Sequence, residues 1–429
     1  MLTVKELSKF WGTLALSWLF MTAEFSLVNA IIARLPEAKF NLAAFGVTMA
    51  LVMLCESPVF PAISASNALV KDAVSLQRLR RFSHTVAALM SCVLLLLAVT
   101  PLFNLVVSGL MEIETSVSQL VKPALLCMIA TPIAVGYRRF YQGILVSFGK
   151  AKFVAYGTAI RLATVFGSGL LLMLAGWPGA VVGSVCFVSG MVMEAAVSRI
   201  ACRRCILELK SKTSQEELSY RRIYTFYLPL ALTSVILISI HPMTSFFLSH
   251  GAKSIESLAV FPVVSALVLI FKSAGIAFQE VTIAALNRSP QNAAILRRFG
   301  LVLATAVTLL LLATSISPLA RIWFEWVGGL PSELLPYTST PLMILAFLPA
   351  TTIWSAFQRG FIITSGVTRY ISKAGLLEVV IVLISMSTAV KGFDMIGADA
   401  AACSLLIGAV SANLYLLFVR GRMAQVEAQ

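Results

Sequence analysis

Leu79-Arg-Arg-Phe82-Ser-His-Thr-Val-Ala-Ala-Leu-Met-Ser-Cys-Val-Leu-Leu-Leu-Leu-Ala98 decides the architecture. Two arginines lead into an apolar stretch that runs on to position 109. At about 1.5 Å per residue such a stretch crosses a hydrocarbon layer roughly 30 Å thick as one helix. Lys and Arg accumulate on the cytoplasmic side of membrane helices, so Arg80 and Arg81 mark that end. The same four residues return as Leu296-Arg-Arg-Phe299, ahead of a second apolar stretch. The segment is therefore both a membrane helix and half of a duplication.

The rest of the chain agrees with that reading. Of 429 residues, 59% are hydrophobic and 12% charged, and the mean hydropathy is +0.91. Soluble domains average about 45–50% apolar and about 25% charged. A water-soluble enzyme and a disordered chain are both excluded. Twelve apolar stretches are expected to span as helices: 10–33, 40–67, 84–109, 117–138, 153–176, 178–200, 224–249, 256–286, 300–322, 336–358, 370–390 and 396–419. The first carries Glu24 and no early small-residue cleavage site, so it reads as a retained anchor.

The net charge of +14 follows this division. With a cytoplasmic N-terminus and a reversal at every helix, 25 of the 33 Lys and Arg fall on the cytoplasmic side and 6 opposite. Arg161 and Lys272 remain inside the membrane. The expectation is a multi-pass protein of the plasma (inner) membrane with both termini cytoplasmic. The positive charge then orients helices and implies no nucleic-acid partner.

A shift of 216 residues lays Leu14-Ala-Leu-Ser17 on Leu230-Ala-Leu-Thr233 and Leu42-Ala-Ala-Phe-Gly-Val47 on Leu258-Ala-Val-Phe-Pro-Val263. A shift of 217 lays Pro132 on Pro349, Phe140-Tyr-Gln-Gly143 on Phe357-Gln-Arg-Gly360, and Gly149 on Gly366. An ordered series at one offset signals internal duplication. The fold class expected is an all-α polytopic membrane protein of twelve helices. Its two six-helix lobes would be 1–200 and 224–429, joined by a cytoplasmic linker at 201–223. Six is even, so both lobes share one orientation, related by a pseudo-two-fold axis along the membrane normal. Transporters built this way hold substrate between the repeats near the midplane.

The end of the fourth span reads Arg139-Phe-Tyr-Gln142-Gly143-Ile-Leu-Val-Ser-Phe-Gly149-Lys-Ala-Lys152. It resembles the R-x-x-Q-G-x(5)-G-x-[ST]-[RK] stretch of multidrug-and-toxin-extrusion (MATE) transporters of the MOP flippase superfamily, departing from it at Ala151. The second half ends in a partial echo, Gly366-Val-Thr-Arg369. The loop between spans 2 and 3 carries no major-facilitator motif. Ala44–Met53, Ser57-Pro58, Ser66-Asn67, Leu228-Pro-Leu-Ala-Leu232 and Ser249 are also similar to the progressive ankylosis (ANKH) family. The chain departs from that family at Ile238-Ser-Ile-His241, where a Gln-Arg pair would stand. The resemblance implies an alternating-access secondary exporter of a small organic solute, coupled to H+ or Na+. A lipid-linked precursor flippase and an ANKH-like exporter of organic anions or pyrophosphate are the alternatives it implies. A monomer is expected.

An ionisable group within a membrane helix costs about 2.5–3.5 kcal/mol on insertion scales and is functional or paired. Glu24 lies about 14 residues into helix 1, roughly 21 Å along it. It is the candidate for ion coupling. Glu56 and Lys272 occupy positions equivalent at offset 216 with opposite charge, and they either meet across the lobes or pair within their own. Arg161 and Glu378 are equivalent at offset 217. Each is expected to find a partner in its own lobe, with Glu24 or Glu56 proposed for Arg161 and a local pairing for Glu194. His241 and Glu280 complete the candidate substrate and ion residues, and Arg139, Gln142, Gly143 and Gly149 form the motif. Pro58 and Pro61 remove backbone donors and are expected to kink helix 2.

Three scattered histidines and one isolated CxxC, Cys202 to Cys205, give no metal-ligand spacing and no nucleophile arrangement. No enzyme activity, metal or cofactor is expected. No P-loop appears, so the energy for transport would come from a gradient.

Overall fold

The computed structural model describes residues 3–150, 152–174, 176–212, 218–316, 318–365 and 369–427. Its elements there are helices, with one isolated bridge between Ala252 and Ile396. Ala151 and positions 366–368 of the motif stretches lie outside the described residues.

The twelve expected spans each have a counterpart. Helix α1 is Val4–Ala33. The others are α2 Ala38–Leu69, α3 Ala73–Val99, α5 Lys152–Met173, α6 Gly179–Ala201, α7 Tyr220–His250, α8 Ser254–Leu286, α9 Pro290–Ile316, α10 Ser339–Thr364, α11 Arg369–Phe393 and α12 Gly397–Arg422. The fourth, α4, is a bent pair, Thr115–Cys127 and Thr131–Ser147, turned by 43° at the break. Proline explains the irregularities. Pro132 opens the second part of α4, and Pro349 opens the corresponding part of α10, Leu348–Thr364. In α2 the regular helix stops at Glu56, and Ser57–Val59 tightens to a 3₁₀ turn around Pro58. A proline lacks the N–H that an α-helix interior needs, so the break falls where expected.

By packing, the chain forms a continuous unit, Leu35–Ser245, and a split unit, Met1–Arg34 with Phe246–Gln429. The repeat division at 1–200, 201–223 and 224–429 is thus a different partition from packing. Helix α1 is fixed to α8, with Trp11 Nε1 donating to Ala274 O at 3.0 Å and Asn29 Nδ2 to Pro262 O at 3.3 Å. Tyr227 of α7 donates its hydroxyl to Pro58 O at 2.9 Å, the carbonyl beside the α2 break. A short amphipathic helix, Arg203–Ser211, lies in the linker and buries Cys205, Ile206 and Leu209. That face joins Leu79, Phe140, Tyr141 and Tyr227 in the core of the continuous unit. Phe278, Leu296, Ile353 and Phe357 centre a core in the split unit.

The duplication is visible in backbone geometry that the residue letters conceal. Glu37 and Lys253, which precede α2 and α8, are both left-handed, with φ of 53° and 55°. Wide helical turns recur at Asn104–Leu110 and Ile322–Val327. Asn41 Oδ1 accepts from Ala180 N at 2.8 Å, and Ser257 Oγ accepts from Ala398 N at 3.1 Å. Gly143 lies against α2, where an added Cβ would stand 2.3 Å from Ile63 O. Gly360 lies equally tightly against Thr282 of α8. At one equivalent contact the sizes are exchanged. Gly136 receives Val59, whereas Gly275, at the Val59 position, receives Ile353, at the Gly136 position. Close packing requires complementary volume, which either partner can supply.

Candidate functional site

In the continuous unit, α4, α5 and α6 bury a polar network around Glu194, which is 1% exposed. Glu194 Oε2 accepts from Arg138 Nη1 and from Arg161 Nη1 at 3.0 Å. Its Oε1 accepts from Gln142 Nε2 at 3.0 Å and from Thr158 Oγ1 at 3.2 Å. Helical spacing produces the convergence: Arg138 and Gln142 are four apart on α4, and Thr158 and Arg161 three apart on α5. Glycines bring the helices close. A Cβ on Gly157 would stand 3.3 Å from Glu194 Cγ, and one on Gly190 would stand 3.0 Å from Arg161 Cγ. A carboxylate is tolerable in such an interior only when its charge is paired and its lone pairs are bonded.

Arg161 forms an ion pair with Glu194, a partner that the sequence reading had not named for it. The pairing of Glu194 within its own repeat is as expected. Arg138 and Arg139 were counted among cytoplasmic charges, yet Arg138 is buried in the network. Arg139 is part-buried, its guanidinium 4.3 Å from the centre of the Phe60 ring. Glu56 is 4% exposed at the end of the regular part of α2. The charged groups acting on it are Arg139 and Arg138.

In the split unit, Lys272 of α8 is influenced by Glu378 of α11 and Arg359 of α10. Arg359, another charge assigned to the cytoplasmic side, has a buried Nε with no hydrogen-bond partner. These three stand at the positions of Glu56, Gln142 and Arg161 in the other repeat. Equivalent sites therefore hold Glu against Lys, Gln against Arg, and Arg against Glu. Gly408 seats Glu378 as Gly190 seats Arg161: its Cβ would meet Glu378 Cγ at 3.5 Å. Glu24 of α1 is 2% exposed. Glu280 is exposed and accepts from Trp18 Nε1 at 3.1 Å. His241 is exposed on α7, in the continuous unit.

The motif residues divide by role. Gln142 joins the network, Gly143 permits the α2 contact, and Gly149 has φ of +68°, which favours glycine in the turn after α4. Thr158 was not singled out in the sequence, and no local signal marks it. The thiol of Cys202, just past the end of α6, is pushed up to about 12, chiefly by burial. Burial of this kind disfavours the thiolate, the form that a nucleophile needs.

No protein-family model matches the sequence, and no curated protein matches it. Solved structures do match. A multidrug-resistance MATE family transporter of the MOP superfamily, in an inward-facing conformation, aligns at TM-score 0.67 and 16% identity over 97% of this chain and 99% of its own. The chain has the fold of the MOP superfamily. The lipid II flippase MurJ, inward closed, aligns at TM-score 0.71 and 15% identity over 95% of this chain and 87% of its own. A MOP superfamily transporter from Pyrococcus furiosus, described as having a binding pocket of reverse polarity, aligns at TM-score 0.62 and 14% identity over the whole of both chains. The expected likeness to MATE-like proteins thus holds at the level of fold.

Proposed function

We infer that the protein is a secondary active transporter that exports a small organic solute by alternating access, driven by a proton or sodium gradient. The observation that carries this is whole-chain similarity to MATE structures solved inward-facing and outward-facing. Fixed ionisable groups inside membrane helices of both repeats support it, because such groups mark ion and substrate pathways. Glu24, deeply buried on α1, is the coupling carboxylate in this proposal, and Lys272 with Glu378 forms the charge pair that responds to it within the split unit. Glu280 is a cavity-mouth residue in this proposal, and His241 is a further candidate for contact with substrate or ion. The protein works as a monomer in the plasma (inner) membrane, both termini cytoplasmic.

The similarity to MurJ favours a second reading, movement of a lipid-linked precursor. Flux measurements in proteoliposomes separate the two. Soluble organic anions and cations are offered with proton and sodium gradients imposed separately, beside a scrambling assay with a fluorescent lipid-linked sugar. Gradient-driven flux of a soluble solute supports the exporter, and lipid movement alone supports the flippase. Absence of both contradicts transport.

A further inference from the structure

Within the continuous unit, Glu56 and Arg139 lie beside the Glu194 network without joining its hydrogen bonds. Arg138 and Arg161 both donate to Glu194, so their charges are committed. Among the described residues Arg139 has no hydrogen-bond acceptor, and its guanidinium is held by the face of Phe60. Among the described residues Glu56 has no hydrogen-bond donor, and its Oε2, like Arg139 Nε, is sealed from solvent. The remaining polar atoms, Glu56 Oε1 and the two Arg139 Nη, are equally unbonded but are not sealed. The two side chains act on each other electrostatically, yet they form no ion pair within 4 Å. Opposite charges this desolvated ordinarily close into contact, because each pays a desolvation penalty that the other offsets. The backbone explains the gap. Glu56 ends a helix halted by the Pro58 turn, and stacking on Phe60 fixes the direction of the guanidinium.

We propose that Glu56 and Arg139 form a two-ended receptor for an α-amino acid or similar zwitterion, with the ligand ammonium on Glu56 and its carboxylate on Arg139. A guanidinium presents two parallel donors that match a carboxylate. Glu56 supplies an acceptor oxygen for an ammonium. Phe60 covers one face of the guanidinium and leaves its edge for the ligand. A single-charge solute would neutralise one end and leave the other buried without a partner. That difference gives selectivity for molecules that carry both charges. The charged groups acting on Glu56 are both guanidiniums, Arg139 and Arg138. An acidic amino acid therefore suits the receptor at least as well as a neutral one.

This inference rests on the transporter reading for its purpose, but its test needs no gradient. Thermal unfolding of the purified full-length protein in detergent is followed against L-serine, L-aspartate, ethanolamine and lactate. The expected result is saturable stabilisation by L-serine or L-aspartate and none from ethanolamine or lactate at the same concentration. In Arg139→Gln and in Glu56→Gln the concentration for half-maximal effect rises about tenfold or more, as for loss of a charged hydrogen bond. Equal stabilisation by lactate or by ethanolamine overturns the proposal, as does the absence of any effect of the amino acids. The comparison among wild-type ligands decides the matter even where a variant fails to fold. Gradient-driven flux of some other solute, without amino-acid binding, overturns this inference and leaves the transporter reading intact.

Discussion

Arg161 Nη1 lies 3.0 Å from Glu194 Oε2, tying α5 to α6 through a pair that water does not reach. Removing one partner of a buried ion pair leaves the other charge uncompensated, at about 3–5 kcal/mol. Glu194→Gln removes the carboxylate that Arg138 and Arg161 share and is expected to lower the unfolding temperature sharply. Arg161→Gln leaves Glu194 its ion pair with Arg138 and is expected to cost less. Thermal unfolding of the two variants checks the order, and the reverse order contradicts the hub role of Glu194.

The glycine contacts make a steric prediction. Gly143→Ala places a methyl group 2.3 Å from Ile63 O, whereas Gly167→Ala meets nothing within 4 Å. Overpacking costs roughly 1–3 kcal/mol, while alanine replacing glycine in an open helical position stabilises by roughly 0.5–1 kcal/mol. Gly143→Ala and Gly360→Ala are expected to lower the yield of folded protein and the unfolding temperature. Gly167→Ala is expected to leave both unchanged or slightly raised.

Equivalent caps are expected to have unequal weight. Asn41 accepts from Ala180 N and also donates to Pro36 O and Glu37 O. Ser257 accepts from Ala398 N. Losing a cap costs about 0.5–2 kcal/mol. Asn41→Ala is expected near the upper end and Ser257→Ala near the lower, read as shifts in unfolding temperature.

Lys272 of α8 has the Glu378 carboxylate and the Arg359 guanidinium as the charged groups acting on it in the split unit. Single variants Lys272→Ala and Glu378→Ala are expected to reduce transport at least about tenfold, since Glu378→Ala removes the carboxylate that acts on both Lys272 and Arg359, and Lys272→Ala removes one of its two cations. The exchange Lys272→Glu with Glu378→Lys retains the charge balance and is expected to recover part of the rate. A double variant as inactive as the singles contradicts their coupling.

Helix positions, proline breaks and the repeat offset were legible in the sequence, because apolar length and an ordered series of matches survive in the letters. The Asn41 and Ser257 caps were not, since different residues perform the same bond and the offset has drifted by then. Nor was the Glu194 network. Its members come from three helices, and Arg138 and Glu194 face Ser355 and Ser411 at offset 217, so the duplication gives no hint of them. Charge counting by loop placed Arg138, Arg139 and Arg359 at helix ends, because hydropathy cannot distinguish a charge just inside a bundle from one just outside. The membership of α1 and α7 in the packing units depends on which apolar faces meet, and a uniformly apolar helix does not record that.

Alternating access is tested most directly by trans-stimulation in proteoliposomes. Vesicles are loaded with a labelled solute that the flux panel shows to move, and its exit is timed with and without unlabelled solute outside. A single site exposed to one side at a time returns faster when occupied, so outside solute is expected to accelerate exit severalfold. An exit rate indifferent to the outside solute would indicate a pore and contradict the transporter reading.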